Sequence, residues 1–175
     1  MQLPRMIRVR QRFERPLVTD IPGEVQRQLA SLNLGRRVRP GQSVAITAGS
    51  RGIANIAVIT RAIVSHCRDL GLQPFIVPAM GSHGGATADG QREVLAGYGI
   101  VEEFVGAPIR SSMETVIVDT IAHGVPVHFD RIASEADHVI VAGRIKPHTG
   151  FVGEVESGLH KMMLIGLVKA VGAGI

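Results

Sequence analysis

Two histidines, one arginine and a few lysines stand in glycine-rich stretches of this sequence. His83 lies in Gly81-Ser82-His83-Gly84-Gly85, His148 in Lys146-Pro147-His148-Thr149-Gly150, and Arg51 in Gly49-Ser50-Arg51-Gly52. An imidazole with an ordinary pKa near about 6.5 can take or give a proton at neutral pH, so two of them facing one site suit acid–base work. Placed on opposite sides of one carbon, they would let a substrate be deprotonated from one face and reprotonated from the other, which is the logic of a racemase or epimerase. Arg51, with Arg144 and Lys146 beside His148, would supply positive charge for a small carboxylate or phosphate. Lys161 adjoins the apolar run Met162 to Val168, where partial desolvation would favour a nucleophilic amine. The three lysines, Lys146, Lys161 and Lys169, all fall in the last 30 residues of a chain with 19 Lys and Arg in total. Where arginine carries nearly all the solvated charge, a lysine in an apolar or glycine-rich segment suggests chemistry that a guanidinium cannot do.

Each loop alone is equally a tight turn with an exposed side chain. Their convergence is what carries weight, and convergence depends on the elements between them. From Ser43 onward, short apolar runs alternate with segments of helical period, the pattern of βαβ units around a mostly parallel sheet. Strands are expected at Ser43 to Ala48, Gln73 to Pro78 and Asp137 to Ala142, each followed by one of the three loops. A helix follows the first loop, with Ile53, Ile56, Ala57, Thr60, Val64 and Cys67 on one face and Gly71 as its stop. A second runs from Thr87, a suitable N-cap, to Tyr98, and a third begins near Glu154. The fold class is therefore α/β, with Gly-rich loops at the strand carboxyl ends, the edge where open parallel sheets bind ligands. Outside this frame, Met6 to Phe13 alternates apolar residues with Arg8, Arg10 and Arg12, the period of a half-buried strand. Pro22 to Leu32 reads as a helix, and Thr115 to Val118 with Val125 to Phe129 as paired strands joined through His123-Gly124.

Composition narrows the setting. With 175 residues, 45% hydrophobic and 19% charged, the chain can bury a real core and is neither disordered nor collagenous. One cysteine, Cys67, excludes an internal disulfide and a thiolate cluster, and fits a reducing compartment and a small core position. No apolar run approaches the roughly 18 residues that cross a bilayer. A cytoplasmic location without membrane contact is expected. A net charge of +4 permits an anionic ligand. Nucleic acid is not the expected partner, because the sequence has no Trp and one Tyr for base stacking. His66, His123, His128 and His138 lack the i, i+4 spacing of a helical zinc pair and read as ordinary satisfied positions.

Gly49-Ser50-Arg51 resembles the first of three blocks in the N-terminal domain of the nickel-dependent lactate racemase family. The second is Gly81-Ser82-His83 with Ala86-Thr87 and Gln91, and the third runs from Lys146-Pro147-His148 to Gly158-Leu159-His160-Lys161. Gly52-Ile53 and Gly84-Gly85 stand where the lactate racemases proper carry prolines, which places the chain among the broader relatives. The resemblance implies one domain over residues 1–175, truncated before a C-terminal domain, and inactive alone. It implies racemisation or epimerisation of a 2-hydroxyacid by hydride transfer to a nickel pincer nucleotide, nickel bound to pyridinium-3,5-bisthiocarboxylic acid mononucleotide. Lys161 matches the lysine that tethers that cofactor, His83 and His148 match the acid–base pair, and Arg51 matches a substrate-binding arginine, with Lys146 as a further anion contact. No metal ligand is expected within the chain, since the family's histidine ligand would fall beyond Ile175. The implied partners are a small 2-hydroxyacid and the proteins that build the cofactor. Two other readings stay open from the residues themselves: a non-catalytic module for a carboxylated or phosphorylated metabolite, and nucleic-acid binding through the N-terminal arginines.

Overall fold

The structure is a computed structural model that describes residues 6–14, 16–146, 150, 152–153 and 157–173. It opens with helix α1 (Ile21–Ser31), capped by the Asp20 carboxylate, which accepts from the Gly23 amide at 3.0 Å. Strand β1 (Ser43–Ala48) follows, then α2 (Ile56–Asp69), β2 (Gln73–Pro78), α3 (Ala88–Gly97) and a single turn α4 (Glu102–Val105). Next come β3 (Thr115–Ile121), β4 (Val125–Asp130), α5 (Arg131–Ser134) and β5 (His138–Ile140). The chain then runs through a short α6 (Leu159–Lys161), a π-helical turn at Met162–Gly166, and α7 (Lys169–Ala173).

The main sheet is wholly parallel, in the order β2-β1-β5, so the fold is α/β. β1 is its centre because it is apolar on both faces: Val44, Ile46 and Ala48 join one buried cluster while Ala45 joins the other. The first cluster packs α2 and α3 against the sheet through Ile63, Val64, Cys67 and Leu95. The second lies on the opposite face, where Phe75, Val77 and Ala79 meet Ala133 and Leu167. β3 and β4 form a separate antiparallel hairpin, turned at His123-Gly124 where both residues take positive φ.

One expectation needs correction, and another falls outside the described residues. Residues 6–14 form no strand and are exposed, so the Arg8, Arg10 and Arg12 stripe lies on no sheet face; an alternating pattern needs a partner edge to become a strand, and none pairs with it among the described residues. The third helix begins at Leu159 among the described residues, and Glu154 lies outside them. Met163 is exposed with Leu164 and Ile165, because a continuous apolar run on a helical turn cannot face inward on every side.

Candidate functional site

Because all three strands of the sheet run the same way, the loops after β1, β2 and β5 leave a common edge. The strand order reverses at β1: the chain goes one way to β2 and returns on the other side with β5. That places the topological switch, the crevice where open α/β sheets take ligands, between the carboxyl ends of β1 and β5. Thr47 bridges the two strands there. Its buried hydroxyl accepts from the Ala142 amide at 3.0 Å, extending the pairing past the last regular residue of β5.

The turn that follows Lys161 lies across this crevice. Met162 reaches into it: a methyl placed on Gly49 would sit 3.3 Å from Met162 Cε, and one on Gly143 would sit 3.1 Å from its Cγ. The glycines that end β1 and open the loop after β5 are therefore surfaces for one side chain. Four residues on, the Gly166 carbonyl accepts from the Gly81 amide at 3.2 Å, binding the same turn to the loop after β2. Gly158, just before the turn, has φ +74 and packs on Ile145, between Arg144 and Lys146. All three loops thus touch the segment that carries Lys161. A π turn is costly and recurs next to functional residues, and here it lets Met162 and Gly166 face the sheet edge together.

Lys161 itself is exposed and makes no ion pair or hydrogen bond among the described residues. Its amine is reachable, but it is not desolvated by the neighbouring apolar run, so the sequence argument for activation by burial does not hold. Arg51, Arg144 and Lys146 are exposed as well. His148, with Pro147 and Thr149, lies outside the described residues.

His83 is exposed at the same edge, and its Nδ1 is hydrogen-bonded to the Ser50 hydroxyl of the first loop. Ser50 is placed in turn by Tyr98, the residue after α3, whose hydroxyl donates to the Ser50 carbonyl at 2.8 Å while its ring lies against Gly52. On the far side of the loop the buried Gln91 amide donates to the carbonyls of Gly81, at 2.9 Å, and His83, at 3.3 Å. The backbone here depends on Gly84: at φ +67, a Cβ on it would meet the Gly90 and Gln91 backbone at 2.6–2.7 Å. Thr87 then caps α3, as its sequence position suggests, by accepting from the Gly90 amide at 3.1 Å. With Nδ1 committed to Ser50, Nε2 is the ring nitrogen left to face a ligand.

Sequence reasoning paired Arg51 and His83 as neighbours on one edge but missed what holds them. Ser50 and Tyr98 make the joint between the first two loops, and the signal was weak: a serine inside the Gly-rich block and the sole tyrosine of the chain. Three of the other histidines have hydrogen-bond partners, His66 with Gln26 at 2.8 Å, His128 with Thr115 at 3.0 Å and His138 with Gln42 at 2.9 Å, while His123 occupies the hairpin turn and His160 is exposed beside Lys161. Among the described residues no group of three His, Cys, Asp or Glu could hold a metal ion, and no helix is long and apolar enough to cross a membrane.

A family model for the lactate racemase N-terminal domain matches residues 18–171. Comparison with curated proteins finds no match. The matched span starts beyond the Arg8–Arg12 segment and takes in all three loops, the π turn and Lys161, so the chain belongs to the lactate racemase N-terminal domain family.

Proposed function

We propose that this chain provides the histidine and lysine side of a racemase or epimerase site for a small 2-hydroxyacid. The observation that supports the reading is Met162, which lies between Gly49 and Gly143 and so holds the turn that follows Lys161 against the edge from which the loops of Arg51 and His83 leave. The Gly81 amide of the His83 loop donates to the Gly166 carbonyl of the same turn at 3.2 Å, so the segment that follows Lys161 touches all three loops.

In this reading Arg51 binds the substrate carboxylate, with Lys146 as a second cation, both exposed at the edge. His83 Nε2 takes the proton from the C2 hydroxyl as that carbon is oxidised, and returns it when the carbon is reduced. His148 is the opposite member of the pair by its place in the family pattern. Ser50 holds the His83 ring through Nδ1, and therefore sets its direction and which nitrogen exchanges the proton.

The family's cofactor, a nickel pincer nucleotide joined to lysine as a thioamide, fits what the described residues offer for its tether. Lys161 is a primary amine, exposed, with no carboxylate partner among the described residues, and it stands in a turn where the Met162 amide donates to the Gly158 carbonyl at 3.3 Å. When bound, that group supplies a reversible hydride acceptor for the substrate's C2. The protein's own contribution is to orient the hydroxyacid, hold the proton at His83 and anchor the amine. Partners on this reading are the hydroxyacid and the proteins that build the cofactor, in a cytoplasmic setting.

The test is mass analysis of the Lys161 peptide after co-expression with cofactor-assembling proteins, joined to chiral assay of 2-hydroxyacids. The expected result is an adduct on Lys161, absent from Lys161→Arg, and turnover reduced about 100-fold or more in His83→Gln. Unmodified Lys161, with anion binding that survives His83→Gln, would favour the non-catalytic module instead.

A further inference from the structure

Eight residues after the exposed Lys161, Lys169 is entirely buried, as are Asp130 and Gln91. Its ammonium reaches three acceptors: the Asp130 carboxylate Oδ2 at 2.8 Å, the Pro78 carbonyl at 2.7 Å and Gln91 Oε1 at 3.4 Å. Two of these contacts are hydrogen bonds, to Pro78 and Gln91, and the third is an ion pair with Asp130. Asp130 Oδ1 is occupied by the Ala133 amide, and Oδ2 meets no hydrogen-bond donor among the described residues apart from facing this ammonium. Lys169 also takes φ +56, a left-handed conformation that a non-glycine residue adopts at a cost. A glycine would relieve the backbone, so the side chain is what the position requires.

These partners are not scattered. Pro78 is the last residue of β2, immediately before the loop that carries His83. Gln91 accepts from Lys169 through Oε1 and donates through Nε2 to the Gly81 and His83 carbonyls. Three residues before Lys169, the Gly166 carbonyl accepts from the Gly81 amide. The His83 loop is thus held at its start and from beneath by one buried cation and the amide it orients. Arginine would not substitute, because a planar fork cannot point its donors at a carboxylate, a carbonyl and an amide in three directions. The amine is fully paired and enclosed, which also separates it from the reachable amine of Lys161.

We propose that Lys169 is a positioning residue for His83: through Pro78 and Gln91 it fixes the loop that presents the imidazole, while Asp130 balances its charge. This rests on the reading of His83 as the acid–base group, but the loop's order can be measured without turnover.

The test uses the full chain with Lys169→Met/Asp130→Asn, which removes both charges together and keeps the Asn oxygen for the Ala133 amide, so no buried charge is left uncompensated. Gln91→Met, which cuts only the amide link, is measured beside it and decides the matter if the double variant does not fold. Hydrogen exchange in residues 79–91 is expected to rise about tenfold, with β1 and α2 within about twofold of wild type. Ring 15N shifts of His83 should lose the single tautomer set by Ser50, and kcat should fall about tenfold with KM little changed. A folded variant with unaltered exchange in 79–91 and unaltered His83 shifts overturns the proposal, as does exchange rising equally in every segment. If exchange and ring shifts respond as expected while His83→Gln leaves the turnover of an active wild-type preparation unchanged, the positioning stands and the reaction assignment fails.

Discussion

Gly166 offers a test of whether the turn bearing Lys161 is seated on the sheet edge as described. In an ordinary helical turn, replacing glycine with alanine is favourable by up to about 1 kcal/mol, because the unfolded chain loses freedom and the helix gains a better former. Here a Cβ would stand 2.7 Å from the Ala79 carbonyl oxygen and 3.0 Å from its carbon. Ordinary contact needs about 3.4 Å or more, so roughly 0.7 Å must be found. Ala79 cannot give way, since its amide is bound to the Ala48 carbonyl at 2.8 Å in the sheet. The turn must lift instead, straining the bond between the Gly81 amide and the Gly166 carbonyl. Overpacking costs about 1–3 kcal/mol and a weakened hydrogen bond about 1. Against the helical gain, Gly166→Ala should destabilise by about 2 kcal/mol, a fall of about 4–8 °C in Tm for a domain of this size. Gly97→Ala is the control: it ends α3 with nothing within 4 Å of the added methyl and should raise Tm by about 1–4 °C. Thermal melts of the three proteins decide. Should Gly166→Ala melt at or above wild type while Gly97→Ala gains, the turn does not rest on Ala79 and the placement of Lys161 loses its support.

Three further outcomes are expected. Ser50→Ala, which removes the Nδ1 partner of His83, should lower kcat about tenfold while lowering Tm by only about 1–6 °C, because one exposed hydrogen bond contributes about 0.5–1.5 kcal/mol; unchanged turnover in a wild-type-active preparation would remove Ser50 from the mechanism. The Ser43 amide and hydroxyl, each 2.8 Å from Asp137 Oδ2, hold that carboxyl below its ordinary value of 3.8. A depressed carboxyl contributes stability above its unfolded pKa and loses it as pH falls through the folded one, so acid titration of Asp137→Asn should show a flatter loss below pH about 4 than wild type, and parallel curves would count against it. Cys67 is buried, and burial pushes its thiol up to about 11. At pH 8 a thiol reagent should therefore label it only after unfolding, and rapid labelling of native protein would contradict its burial between α2 and the sheet.

How much of this was legible in the residues can be judged element by element. β1 and β2 were readable to the residue because each is a short apolar run bounded by turn formers, and Thr87 was readable as a cap from its side chain alone. Met6 to Phe13 failed for an equally plain reason: alternation marks a strand only where another strand offers its edge. That the loops after the strands share one edge was recognisable from topology. Ser50 against His83 was not, because a hydrogen bond between residues 33 apart in sequence depends on how two loops cross.

The lysines make the division clearest. Local pattern could say that Lys161 and Lys169 both sit in a glycine-rich, apolar tail where arginine is absent, and the family's motif could single out Lys161. Which amine faces solvent and which is enclosed depended on the π turn, on Met162 entering the crevice between Gly49 and Gly143, and on Asp130 arriving from the hairpin to neutralise Lys169. Periodicity and composition act along the chain and are written in it. Burial, charge pairing and the direction of a donor are set by atoms distant in sequence, and so belong to the folded arrangement alone.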